Sequence, residues 1–103
     1  MKNILLVCNQ GMSTSFLVEK MKTVAKNENL AIHIWAVSDA ELNDNWEQAD
    51  IILLGPQVGY LKANTEKVVQ HSKPVEVIDF VDYGRANGKA VLDKALKIIE
   101  AKG

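Results

Sequence analysis

Asn3-Ile4-Leu5-Leu6-Val7-Cys8 is an apolar run of strand length, and it leads directly into the polar stretch Asn9-Gln10-Gly11-Met12-Ser13-Thr14-Ser15. A helical pattern follows at once, so the segment predicts a strand, a short turn and a helix. The N-terminus of a helix carries unpaired N–H groups and a partial positive charge, which bind anions and favour a thiolate. Cys8 therefore stands where a thiol can act as a nucleophile on a phosphoryl group.

Length and composition predict one domain spanning residues 1–103. Hydrophobic residues make up 48% of the chain and charged residues 24%, which is typical of a globular protein. A net charge of −1 gives no indication of nucleic-acid binding or of attachment to a membrane surface. Cys8 is the only cysteine, so we expect a reducing, cytoplasmic compartment. Neither a signal peptide nor an apolar run of about 18 residues is present, and membrane insertion is not expected.

Four apolar runs alternate with helical patterns, which predicts βαβ units and a parallel sheet. The runs cover residues 3–7, 31–37, 51–54 and 75–78, and Pro74 precedes the last. Apolar stripes at helical spacing predict helices around Leu17 to Ala25, Val58 to Val69, and Val91 to Ile99. The segment 39–46 has a weaker pattern and is expected to be a short helix, capped by Ser38, or irregular.

The order of the strands follows from their patterns. The first and third runs are continuously apolar, which is typical of strands buried on both faces. The second run alternates, and the fourth carries Glu76 after a proline, as edge strands do. We therefore predict an α/β fold with sheet order 2-1-3-4 and a topological switch point between strands one and three. Ligands bind at such points, where Cys8 meets the segment Gly55-Pro56-Gln57.

The stretch from Cys8 to Ser15 has the length of the Cys-x5-Arg-Ser/Thr loop of cysteine phosphatases, but Thr14 stands at the arginine position. Backbone N–H groups of residues 9–15 and the hydroxyls of Ser13, Thr14 and Ser15 are the expected donors to a phosphoryl group. A guanidinium would clamp the group bidentately and promote hydrolysis. Its absence favours a phosphocysteine that is made and passed on. A structural cysteine followed by a helix cap is the alternative.

The segment from Cys8 to Ser15 resembles the phosphorylation loop of IIB components of the bacterial sugar phosphotransferase system, in the lactose/cellobiose (chitobiose) family. Further segments resemble other motifs of this family in the right order, so the similarity covers nearly the whole chain: Leu53 to Gln57, Lys73 to Asp79, and Tyr83-Gly84. The family often has Ser-Ala where this chain has Asn9-Gln10. The resemblance implies a three-layer domain with a four-stranded parallel sheet flanked by helices, similar to low-molecular-weight tyrosine phosphatases.

The same resemblance implies a role as a phosphotransferase component. Cys8 would accept a phosphoryl group from a phosphohistidine of a IIA protein. It would then pass the group to a sugar, such as cellobiose, chitobiose or another β-disaccharide, held by a membrane IIC permease. The implied phosphate-binding residues are Asn9, Gln10, Gly11, Met12, Ser13, Thr14 and Ser15. No cofactor or metal is implied, and Cys8 should be accessible to its partners.

Two other functions stay open on the residues alone: a cysteine-dependent phosphatase of the low-molecular-weight type or a related thiol reductase, and a non-catalytic anion-sensing module. Asp79 and Asp82 follow the fourth strand, where related phosphatases carry a general acid, although a cap or turn is favoured here. His33 and His71 have no neighbouring ligand cluster in the sequence, so no metal site is expected.

Two features of the surface also have competing interpretations. Trp35 and Trp46 are expected to pack in or against the core rather than to bind sugar. The acidic stretch from Asp39 to Asp50 is either a solvated face or a docking face.

Overall fold

A computed structural model describes residues 1–8 and 12–102. Its strands are β1 (Lys2–Cys8), β2 (Ile32–Ser38), β3 (Ile51–Leu54) and β4 (Val75–Val77). Its α-helices are α1 (Met12–Asn27), α2 (Lys62–Val68), α3 (Phe80–Gly84) and α4 (Gly88–Lys102). Turns of 3₁₀ helix at Asp39–Asp44 and Trp46–Gln48 connect β2 to β3, and another at Pro56–Leu61 connects β3 to α2.

The four strands form a parallel sheet in the order β2-β1-β3-β4, which confirms the predicted order. β1 pairs with a neighbour on each side, and Leu6 lies opposite both Ala36 and Leu53. The continuously apolar strands are the central ones because both of their faces are covered. The chain crosses from one side of β1 to the other between β2 and β3, so the switch point lies between β1 and β3 as expected.

Alternate residues of the strands feed two separate hydrophobic clusters, one on each face of the sheet. Ile4 and Leu6 pack with α1, α3 and α4, whereas Leu5 and Val7 pack with α2 and the 3₁₀ turns. Burying one side chain of this kind contributes about 1.5–3 kcal/mol. Apolar packing therefore holds helical elements to both faces of the sheet, and the fold is the predicted three-layer arrangement.

Some elements differ from the sequence prediction in detail. Helix α3 was not predicted, since five residues are too few to show a helical period. The stripe that begins at Val58 is not one helix, because Val58 has a non-helical conformation and α2 begins only at Lys62. The fourth strand ends at Val77 rather than Ile78, although the Ile78 N–H still donates to the Leu54 carbonyl at 2.9 Å.

Candidate active site

Cys8 is the last residue of β1, and it lies opposite Ser38, the last residue of β2. Strand alternation places its side chain on the same face of the sheet as Leu6 and helix α1. The residue is only 7% exposed, which is less than the accessible thiol expected from the sequence. It has no disulfide partner. Cys8 thus meets solvent through a small part of its surface, at the carboxyl end of the sheet.

That exposed part faces an open cleft of about 260 Å³, which we call the thiol cleft. The ends of β1 and β2, the first turn of α1 and the 3₁₀ turn after β2 enclose it. The described residues that line it are Cys8, Thr14, Ser15, Ala36, Val37, Ser38 and Glu41. The cleft therefore combines the thiol with hydroxyl groups and one carboxylate.

The cleft opens over β2, not between β1 and β3 as the topology predicts. On the β3 side the chain packs tightly against the thiol. The Gly55 N–H donates to the Val7 carbonyl at 2.9 Å, and a Cβ added at Gly55 would lie 3.4 Å from the Cβ of Cys8. Gly55 is thus brought to Cys8 as expected, but it closes that side of the site instead of opening it.

The predicted phosphate-binding stretch is described only in part. Asn9, Gln10 and Gly11 lie outside the described residues, as do the side chains of Met12 and Ser13. The remaining two members, Thr14 and Ser15, lie in the first turn of α1 and line the thiol cleft. The structure thus brings the two described hydroxyl residues to the thiol, and their role in binding phosphate stays a prediction.

Thr14 has a partner that no local pattern in the sequence indicates. Its side chain is 3% exposed, and its Oγ1 lies 2.6 Å from the hydroxyl oxygen of Tyr83 on α3. Tyr83 is itself 8% exposed. In the sequence, this tyrosine is indicated only by a family motif, since the two residues are 69 positions apart. The contact ties the first turn of α1 to α3 beside the cleft.

Glu41 also lines the cleft, although it was not predicted to belong to the site. Its carboxylate accepts hydrogen bonds from the Ser38 N–H and from Ser38 Oγ, both at 3.0 Å. These two bonds, the backbone one first, lower the pKa of Glu41 below its ordinary value of 4.5. The edge of the cleft therefore carries a negative charge, which donors on the α1 side must offset when an anion binds. The Ser-x-x-Glu spacing of a capping box was the available signal.

The other candidate residues lie away from the thiol cleft. Asp79 caps α3, where its carboxylate accepts from the N–H groups of Val81 and Asp82, as the capping interpretation predicts. Both aspartates line a separate small cavity of about 20 Å³ between β4, α3 and α4. His33 stacks on Trp35 with ring centroids 4.7 Å apart. Within residues 1–8 and 12–102, no three or more His, Cys, Asp or Glu residues cluster in a way that could hold a metal ion.

Both tryptophans are half-buried and pack against the cluster on the α2 face, which confirms their predicted packing role. Among the described helices, none combines the length and apolar character required to cross a membrane.

Comparison with known protein families gives a match over most of the chain. The sequence model of the family described as "PTS system, Lactose/Cellobiose specific IIB subunit" matches residues 3–94. An oligo-beta-mannoside-specific EIIB component of Bacillus subtilis (strain 168) is 43% identical over 100 residues, which cover 96% of this chain and 97% of that protein. A cellobiose-specific EIIB component of Lactococcus lactis subsp. lactis (strain IL1403) is 37% identical, covering 91% of this chain and 93% of that protein.

Solved structures agree with these matches. The cellobiose-specific phosphotransferase IIB component of Borrelia burgdorferi is 37% identical and superimposes with a TM-score of 0.83, covering 99% of this chain and 94% of that one. A lactose-specific IIB domain from Streptococcus pneumoniae reaches the same TM-score at 14% identity, covering 94% of this chain and 96% of that one. The second likeness concerns the fold alone.

Proposed function

Because the chain belongs to the lactose/cellobiose-specific IIB family of the phosphotransferase system, we propose that Cys8 carries a phosphoryl group from a IIA protein to a sugar held by a membrane IIC permease. The Cys8 thiolate attacks the phosphorus of a phosphohistidine, the P–N bond breaks, and its electron pair returns to the imidazole. A sugar hydroxyl then attacks the phosphocysteine, the S–P bond breaks, and the hydroxyl proton is released as the sugar phosphate forms.

The observation that carries this proposal is a thiol cleft whose described lining contains hydroxyl groups but no arginine. Arg85, the only arginine of the chain, is exposed just after α3 and is not among the lining residues. Hydrolysis by a cysteine phosphatase relies on a guanidinium to stabilise the transition state. The hydroxyl donors of the cleft are uncharged and lie beside the charged Glu41, which favours brief binding and transfer of the phosphoryl group over its hydrolysis. The proposed location of this reaction is the cytoplasm.

Two of the three relatives bear the names of β-linked sugars, and the third is named for galactose. The Bacillus subtilis protein is named for oligo-beta-mannosides, and two Lactococcus lactis proteins are named for cellobiose and for galactose. We propose that the sugar phosphorylated through this chain is cellobiose, chitobiose or another β-linked disaccharide. The described residues of the thiol cleft include no aromatic side chain on which a sugar could stack, which suits a sugar bound by another subunit.

Exposed apolar side chains on α1 and α3 form a candidate docking face for the partners. Phe16, Phe80 and Val81 are large apolar residues that remain exposed, and we call these three the docking face. Phe16 lies near the start of α1, which follows β1 and its last residue Cys8, and the other two open α3, which follows β4. We propose that the IIA donor covers this face during transfer. The complex should be weak, because each partner must leave after every cycle.

The test is the intact mass of the protein after incubation with a phosphorylated IIA protein of this family, with Cys8→Ser as the matched control. We expect the gain of one phosphoryl group on Cys8, no gain in Cys8→Ser, and discharge only by membranes that contain the IIC permease and its sugar. Steady release of phosphate from an aryl phosphate, without accumulation of phosphoprotein, would support the phosphatase instead. The anion-sensing module predicts that Cys8→Ala leaves the function of the protein intact, whereas the carrier predicts its complete loss.

A further inference from the structure

The contact between Thr14 and Tyr83 connects the predicted phosphate-binding stretch to a distant part of the chain. Thr14 Oγ1 and the Tyr83 hydroxyl oxygen are 2.6 Å apart, and both side chains are more than nine-tenths buried. Thr14 lines the thiol cleft, whereas Tyr83 is not among the lining residues. Within the part of the chain that the structure describes, the Tyr83 hydroxyl therefore reaches the thiol cleft through its hydrogen bond with Thr14.

The two hydroxyl groups share one hydrogen bond, in which either oxygen can be the donor. A hydroxyl has one proton to donate and two lone pairs to accept. If Tyr83 donates, Thr14 keeps its own proton for a second partner. A phenol is a stronger donor than an aliphatic alcohol, so the direction from Tyr83 to Thr14 is favoured. The Thr14 proton is then left for an acceptor other than Tyr83, and Thr14 lines the thiol cleft.

We propose that Tyr83 is a positioning residue that holds Thr14 as a hydrogen-bond donor to the phosphoryl group on Cys8. This inference rests on the proposed function, since it requires phosphocysteine at Cys8. The bond from Tyr83 polarises the Thr14 hydroxyl and strengthens the bond that it donates. Such a donor is needed because the ionised Glu41 lies at the edge of the same cleft. Tyr83 acts through Thr14 and is not among the described residues that line the cleft.

The test is the rate of phosphoryl transfer from a phosphorylated IIA protein to Tyr83→Phe, which keeps the ring and loses only the hydroxyl. We expect kcat to fall by roughly three- to tenfold, the effect of about one neutral hydrogen bond. KM for the donor protein should stay unchanged, because the docking face is intact. Thr14→Val should lose at least as much, and Thr14→Ser should retain most of the rate because it keeps the hydroxyl.

A double-mutant cycle separates positioning from general weakening of the fold. If Tyr83 acts through Thr14, the variant carrying both Tyr83→Phe and Thr14→Val is no slower than Thr14→Val alone. Matched controls are Tyr60→Phe, at the exposed second tyrosine, and Thr23→Val, whose exposed hydroxyl donates to the Glu19 carbonyl. Neither control should change kcat, and all rates are compared at a temperature where circular dichroism finds every variant folded.

Three results would overturn the proposal. A wild-type or higher kcat for Tyr83→Phe would mean that Thr14 donates to Tyr83 and offers lone pairs to the cleft. Multiplicative losses in the double variant would mean that the two hydroxyls act independently. A failure of the wild-type protein to take up a phosphoryl group on Cys8 would overturn the proposed function as well, and the wild-type sample in the same assay identifies that case.

Discussion

At the scale of single residues, Gly88 fixes how closely α1 and α4 approach each other. A Cβ added there would lie 2.7 Å from the carbonyl carbon of Lys20 and 2.8 Å from the backbone nitrogen of Met21. Backbone atoms inside a helix cannot move aside singly, so α1 and α4 would have to separate. We expect Gly88→Ala to lower the free energy of unfolding by about 1–3 kcal/mol, measured by urea denaturation.

Gly84 provides the matched control for that substitution. Its added Cβ would meet nothing within 4 Å, and the residue lies at the end of α3. Gly84→Ala should therefore leave stability unchanged or raise it by up to about 1 kcal/mol. Equal destabilisation by the two substitutions would mean that the contact with α1 is not what excludes a side chain at Gly88.

Glu41 gives a residue-scale prediction about pH. Hydrogen bonds from Ser38 lower its pKa in the folded protein, so folding favours the ionised carboxylate. The resulting stabilisation is fully present above pH 4.5, the ordinary value, and is lost as the pH falls through the lowered folded-state value. We expect Glu41→Gln to be less stable than wild type at neutral pH, and the difference to vanish in acid.

Urea denaturation of both proteins at neutral pH and well below pH 4.5 tests this expectation. A difference of the same size at both pH values would mean that the carboxylate charge contributes nothing and that the substitution acts by packing alone.

Local sequence patterns could identify only some of the residues at the site. Thr14 and Ser15 could be assigned to the thiol because they follow Cys8 by six and seven positions and lie in the first turn of the helix that comes next. Glu41 and Tyr83 could not, since they reach the same region from the end of β2 and from α3. Contacts between residues far apart in the chain depend on how the elements pack, and no spacing in the sequence records them.

At the scale of elements, the turn between α3 and α4 contains a strained residue. Ala86 has a φ of 50°, in the left-handed region that favours glycine. The Ala86 N–H donates to the Tyr83 carbonyl and the Asn87 N–H to the Asp82 carbonyl, which ends α3. A left-handed backbone conformation costs a residue with a Cβ about 1–2 kcal/mol. Replacement by glycine removes this cost, but the greater flexibility of glycine in the unfolded chain cancels part of the gain. Ala86→Gly should therefore stabilise the protein by up to about 1 kcal/mol in thermal or urea unfolding.

The same change at Ala90, four residues later, is expected to act in the opposite direction. Ala90 lies inside α4, where glycine is less favourable than alanine by about 1 kcal/mol. If both substitutions destabilise the protein alike, the conformation of Ala86 contributes no strain.

The elements differ in how far the sequence could predict them. The order of the strands was predictable because an apolar pattern reports how many faces of a strand are buried, and all four residues of β3 are buried. Helix α3 was not, because its start depends on the Asp79 cap and its length is under two turns. The 3₁₀ turn at Pro56–Leu61 carries the apolar spacing of a helix, so periodicity alone could not distinguish it from the start of α2.

At the scale of the whole molecule, the two hydrophobic clusters share one sheet, and β1 sends alternate side chains into both. We propose that residues 1–103 therefore unfold as a single cooperative domain. The chain contains separate probes for the two faces. Trp35 and Trp46 pack on the α2 face, whereas the long helices α1 and α4 cover the other. Tryptophan fluorescence thus follows one face, and helical circular dichroism follows mainly the other.

Ile4→Val and Ile52→Val form a matched pair that tests this cooperativity. Both isoleucines are fully buried, Ile4 on the α1 face and Ile52 on the α2 face. Each substitution should cost about 0.5–1.5 kcal/mol. In a cooperative domain, each variant shifts the urea midpoints of fluorescence and of circular dichroism together, because loss of either face removes support from the shared strands. If Ile4→Val moved only the circular dichroism transition and Ile52→Val only the fluorescence transition, the faces would unfold separately. Cys8, the last residue of β1, would then lose its fixed position before the molecule as a whole unfolds.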